Sequence, residues 1–190
     1  AYLIGSRVTE ITDALNGALG AGLDPVVLTV GTLPWILGTL AAVGLFVGVV
    51  LHELGHSLVA MRFGFPIDSI TLWLFGGIAR LSEMPEDWRQ ELQIAVAGPI
   101  VSIVLGVGCY GAFLLVPASL PTVRFVLGYL AILNIVLAAF NMLPGFPMDG
   151  GRVLRALLAR TRSYARATQI AAEVGKLFAL LLGLVGLLGF

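Results

Sequence analysis

Residues 25–62 read PVVLTVGTLPWILGTLAAVGLFVGVVLHELGHSLVAMR. No charge occurs between Asp24 and Glu53. That gap exceeds the ~20 apolar residues needed to cross a hydrocarbon core. The stretch is apolar all round, whereas a surface helix of a soluble protein keeps a polar face. A membrane-spanning helix is therefore expected near 32–62. Glu53 lies inside it, followed by the apolar Leu58, Val59, Ala60 and Met61. An acidic residue held in hydrocarbon costs roughly 2–3 kcal/mol or more, which makes it a functional candidate.

The rest of the chain fits the same class. Of 190 residues, 58% are apolar and 12% charged, with 11 basic against 11 acidic. Disordered chains need the opposite balance. A nucleic-acid binder needs a positive field that this sequence lacks, so no nucleic-acid partner is expected. The one cysteine, Cys109, excludes a disulfide scaffold. Further uncharged gaps run from Glu91 to Arg124 and from Arg124 to Asp149, and an apolar run fills Ile170–Phe190. Three more spanning helices are expected, near 92–116, 123–142 and 168–190. The expected fold is an all-α polytopic membrane protein with about four spanning helices, a partial N-terminal segment at Ala1–Gly5 and a short helix and loop over 6–31. The whole of 1–190 reads as one membrane-embedded core domain, apparently cut at both ends.

The connections carry the remaining information. Ile67–Phe75 is β-branched and aromatic, leads into Gly76-Gly77, and continues as Ile78-Ala79-Arg80-Leu81. This predicts a small β-hairpin with a Gly-Gly turn or bulge. Pro144-Gly145-Phe146-Pro147 must be irregular. Gly151–Arg162 then reads as a short amphipathic helix at the membrane interface. With four alternating helices, Arg62, Arg80, Arg89, Arg152, Arg155, Arg160, Arg162 and Arg166 share one side, against Arg7 and Arg124 on the other. The positive-inside rule makes the first side cytoplasmic.

The only two histidines stand four apart in His52-Glu53-Leu54-Gly55-His56. On a helix, positions i and i+4 share a face, so both imidazoles can bind one metal ion. Glu53, one residue on, can act as general base on a metal-bound water, which is zinc-protease chemistry. His56 precedes Arg62 by six residues, ~9 Å of helix, so the metal lies inside the membrane and needs a polar opening to the cytoplasm. A catalytic zinc site usually has three protein ligands. Asp149, after the irregular stretch, is the candidate third ligand; the alternative is an Asp that caps the helix behind it. Gly150-Gly151 is expected to let the chain turn sharply there. Asn134 and Asn141 lie on one face of the third spanning helix. Asn141 is a candidate to hold the substrate backbone or a developing oxyanion, and Asn134 a candidate for bonding between helices.

Together these residues resemble the site-2 protease family of intramembrane zinc metalloproteases. The resemblance rests on His52–His56, Phe75-Gly76-Gly77, Ala97-Gly98-Pro99, and the long motif from Asn141 through Pro144, Pro147 and Asp149 to Arg152. It covers about residues 40–180. It implies Zn2+ bound by His52, His56 and Asp149, Glu53 as catalytic acid/base, and cleavage within a transmembrane segment of a substrate protein in the lipid bilayer. Ser102 stands where many relatives carry Asn, and no PDZ or CBS domain is expected in this chain. The freed substrate strand is expected to add to the hairpin edge, with Gly76 and Gly77 among the binding positions and Asn141 steadying it. The rival reading is a membrane metal transporter or a metal-binding protein without proteolytic activity. It needs neither Glu53 beside the first ligand nor a strand beside the site.

Overall fold

The computed structural model describes residues 2–73, 76–81 and 87–189; over 67–73 and 76–81 it describes the backbone. Ala1, Leu74, Phe75 and Phe190, which fall within stretches named above, lie outside the described residues. The chain is helical, with α1 (Tyr2–Gly5), α2 (Val8–Leu19), α3 (Pro25–Leu28), α4 (Leu33–Arg62), α5 (Trp88–Leu115), α6 (Pro121–Asn141), α7 (Asp149–Ala159) and α8 (Tyr164–Leu188). Four of these, α4, α5, α6 and α8, are long and apolar enough to cross a membrane. Trp35, Ile36, Val43, Phe46, Leu54 and Leu58 of α4 are exposed, as expected of side chains that face lipid.

Two helices begin earlier than the hydropathy suggests, and local capping explains both. Asp87 accepts a hydrogen bond from the Arg89 amide at 2.9 Å, so α5 starts at Trp88 and takes Glu91 into its first turn. Ser163 accepts from the Arg166 amide at 3.4 Å, so α8 starts at Tyr164. Strands β1 (Ile67–Trp73) and β2 (Gly76–Leu81) connect α4 to α5 and pair antiparallel. Gly76 and Gly77 pair with Trp73 and Leu72, so they belong to the ladder rather than to the turn. The register irregularity lies at the other end, between Ile67 and Ser69.

The chain forms two compact units. One holds the chain up to Val50 together with Ser102–Val136; the other holds Leu51–Val101 and the chain from Leu137 onward. In the first unit, Val8, Leu15, Leu28, Leu37, Phe113 and Phe125 form the apolar core. Asn16 closes the loop after α2, exchanging two 2.8 Å bonds with the Leu23 backbone. Small residues allow close helix approach there. A Cβ at Gly44 would fall 2.7 Å from Leu130, and one at Gly48 would fall 2.8 Å from Asn134 Oδ1. Asn134 donates to its own helix, at Leu130 O, rather than bridging to a neighbour through its amide nitrogen.

Arg124 organises the same unit. Its guanidinium donates to Val116 O at 2.7 Å and Ala21 O at 3.1 Å, and lies 4.3 Å from the Phe113 ring centre. Val116 O lies just past the end of α5 and Ala21 O in the loop after α2. Arg124→Met keeps the stem but leaves them unpaired, which costs about 2 kcal/mol or more. Thermal unfolding in detergent is expected to show a clear drop in Tm for this variant.

Candidate metal centre

The site belongs to the second unit. Helix α4 is uninterrupted through Leu51–Arg62, so His52 and His56 project one turn apart from one face. Both are almost fully buried, at 2% and 4% exposure, and Glu53 between them is 7% exposed. Helix α5 supplies the surface they pack on. Ile94 O accepts a 2.7 Å hydrogen bond from His56 Nδ1, which leaves Nε2 as the nitrogen free to ligate. Gly98 lies against both rings. A Cβ there would fall 2.7 Å from His52 Nε2 and closer still to His56 Nε2. Only a residue without a side chain leaves room at that point.

Asp149 comes from the loop after α6. It is the first residue of α7, and Met148 is the N-cap, without a side-chain cap bond. The Asp149 carboxylate turns instead to the histidines. Its Oδ2 lies 3.1 Å from His52 Nε2 and 3.1 Å from His56 Nε2, and the two nitrogens are 3.3 Å apart. The loop that delivers it is tightly stacked. A Cβ at Gly175 of α8 would fall 2.5 Å from Phe146 O, and one at Gly151 would fall 2.5 Å from the Gly145 carbonyl carbon. Gly150 and Gly151 lie within α7, so their small size serves close packing against residues 142–146 rather than the sharp turn expected from the sequence. Burial alone would raise the Asp149 pKa, but hydrogen bonds from the two imidazoles hold it down to about 2. Arg152, one turn on, is half-buried; burial lowers its pKa, opposed by the charges of Asp149 and Glu91.

These three atoms fit a metal ion. Tetrahedral bonds of 2.0–2.1 Å place neighbouring ligand atoms about 3.3 Å apart. The observed edges of 3.1, 3.1 and 3.3 Å describe such a face, and its donors, two imidazoles and a carboxylate, suit zinc. The structure thus brings His52, His56 and Asp149 together, with Glu53 next in the chain. Asn141 Nδ2 donates to Leu137 O of its own helix at 3.1 Å. Gly76 and Gly77 lie on β2. Two contributors escaped sequence reasoning. The Ile94 carbonyl has no side-chain signature, and the role of Gly98 depends on which helix face it meets.

Four helices long and apolar enough to cross a membrane, with a converging His52, His56 and Asp149 ligand set, describe a multi-pass membrane protein with a candidate metal centre. The family model of peptidase family M50 matches residues 40–124 and 118–182, so the chain belongs to that family. A zinc metalloprotease of Methanocaldococcus jannaschii is 44% identical over 149 residues, covering 76% of this chain and 42% of that protein. A Synechocystis relative is 42% identical over 160 residues, covering 84% of this chain and 42% of the relative. The structure of a site-2 protease from Methanocaldococcus jannaschii superposes with a TM-score of 0.66 at 35% identity, covering 96% of this chain and 78% of that one. The chain therefore spans well under half the length of these two curated relatives.

Two outcomes follow from the geometry. Gly98→Ala improves helix propensity but drives a methyl group between the imidazoles, so metal content measured by elemental analysis is expected to fall towards zero while the helical signal is kept. Metal ligands must be deprotonated. Metal is expected to be retained at neutral pH and released on acidification, as protons compete for the ligand atoms, measured by chelator competition across a pH series.

Proposed function

We propose that this chain is the catalytic core of an intramembrane zinc endopeptidase that cleaves within the transmembrane segments of other membrane proteins. One observation carries the reading: a tetrahedral face of ligand atoms from His52, His56 and Asp149, with a buried carboxylate, Glu53, adjoining the first ligand. A transporter needs the ligands but has no use for that carboxylate. The family membership and the zinc metalloprotease name of a relative support the same choice.

His52, His56 and Asp149 hold Zn2+, which when bound acidifies a water and polarises a carbonyl. Glu53 accepts the proton that the attacking water sheds and returns it to the leaving amine. A peptide bond in a helix is shielded by its own hydrogen bonds, so the substrate must unwind locally. Among the described residues β1 and β2 pair only with each other, which leaves strand edges to receive an extended segment through main-chain bonds. In this scheme Gly76 and Gly77 give close backbone access on β2. Asn141 exchanges its bond to Leu137 O for one to the substrate. Its amide then steadies the backbone or the oxyanion. The site opens to the cytoplasmic side, the side that the arginine-rich connections mark by the positive-inside rule.

The test is Glu53→Gln in proteoliposomes with a single-pass substrate. The variant is expected to keep its zinc and lose cleavage by about 10²–10⁴-fold, the usual weight of general acid–base catalysis. Cleavage at the wild-type rate, or zinc flux across the liposome with no proteolysis by the unaltered protein, would overturn the reading.

A further inference from the structure

Glu91 and Arg155 are charged residues in a chain that has few, and both are buried, at 0% and 8% exposure. The sequence places Arg155 on an interfacial helix and Glu91 in a polar connection. The structure pairs them instead. Arg155 Nε donates to Glu91 Oε1 at 2.6 Å, and Arg155 Nη2 binds the same oxygen. Tyr164 OH donates to the other oxygen, Oε2, at 2.7 Å. One carboxylate thus ties α5 to both α7 and α8. The Arg155 guanidinium also lies 5.2 Å from the ring centre of Phe146, in the loop three residues before Asp149.

We propose that Glu91, Arg155 and Tyr164 form a buried strut that fixes the position of Asp149, and so act as positioning residues for the metal centre. The proposal rests on the metal-site reading above. Its first support is register. Glu91, Ile94 and Gly98 follow at three and four residues along α5, so they share a face. Ile94 orients His56, Gly98 makes room beside both histidines, and Glu91 holds the helix that carries Asp149. One face of α5 therefore references all three ligands. Its second support is rigidity. Asp149 and Arg155 belong to one unbroken helix six residues apart, ~9 Å of rise, so anchoring one end sets the other.

Its third support is energetic. A buried ion pair is seldom more stabilising than apolar residues of similar volume, but it is directional. An apolar contact lets helices slide; three charge-assisted bonds at 2.6–2.7 Å or shorter do not. Spending two of 22 charges on a buried pair makes sense where position, rather than stability, is what is needed.

The test measures zinc affinity of the full chain in detergent by chelator competition, and the visible absorption of the Co2+-loaded protein, which reports ligand geometry. Glu91→Gln is expected to weaken zinc by up to about 10-fold, at or below the low end of the roughly 10–100-fold that follows loss of a group bonded directly to a ligand. Tyr164→Phe, which removes one hydroxyl, is expected to weaken it less and to shift the Co2+ bands in the same sense. If Glu91→Gln does not fold, Tyr164→Phe carries the test alone. An unchanged Co2+ spectrum in the folded variants would overturn the proposal, whatever their melting temperatures, because a purely structural role lowers stability without altering the ligand field. His52→Ala separates the two levels. If it leaves zinc affinity untouched, the metal-site reading fails; if it abolishes binding while the strut variants keep wild-type spectra, only the strut fails.

Discussion

Charge placed in hydrocarbon must be answered by other polar groups, and most of this structure follows from how that demand is met. Two imidazoles and a carboxylate on an apolar helix are costly unless something converges on them. Asp149 and the Ile94 carbonyl converge on the histidines. The Arg155 guanidinium and the Tyr164 hydroxyl converge on Glu91. Arg124 gathers backbone carbonyls and an aromatic face in the other unit. Each cluster joins elements distant in sequence, so satisfying charge and packing helices are the same event here.

Glycine does the complementary work. Without a strong hydrophobic drive between helices in lipid, close approach supplies the contact energy. Gly44 and Gly48 serve this in the first unit, and Gly151 and Gly175 seat the loop before α7 in the second. Gly98 differs from these, because the space it leaves belongs to the ligands rather than to a neighbouring helix. The loop is only partly covered, with Gly145 buried and Gly145 and Phe146 in close contact with Gly151 of α7 and Gly175 of α8.

Much of this was legible in the sequence, for physical reasons that differ by element. The spanning helices show because hydrocarbon admits no compromise in composition. The convergence of Asp149 with the histidine pair was legible from ligand counting: two histidines need a third donor, and few acidic residues follow a spanning helix. Asn141 Nδ2 bonds to Leu137 O within its own helix, a local bond that a seven-residue spacing does not reveal. The pairing of Glu91 with Arg155 was hidden because neither residue carries a local mark of a partner 64 positions away. Charge counts assigned both to solvent-facing connections, and only tertiary contact withdraws them. The starts of α5 and α8 were missed because a capping side chain, Asp87 or Ser163, extends a helix into polar sequence that hydropathy leaves out.

Asp149 lies 97 residues beyond His52 in the chain. A ribosome adding about 5–20 residues per second needs roughly 5–20 s to make that stretch. During this interval α4 can already occupy the bilayer, with its two histidines and Glu53 made but their partner not yet synthesised. The ligand set is therefore incomplete while α5 and α6 are being made. Order of synthesis therefore delays completion of the ligand set until α4, α5 and α6 have all been made.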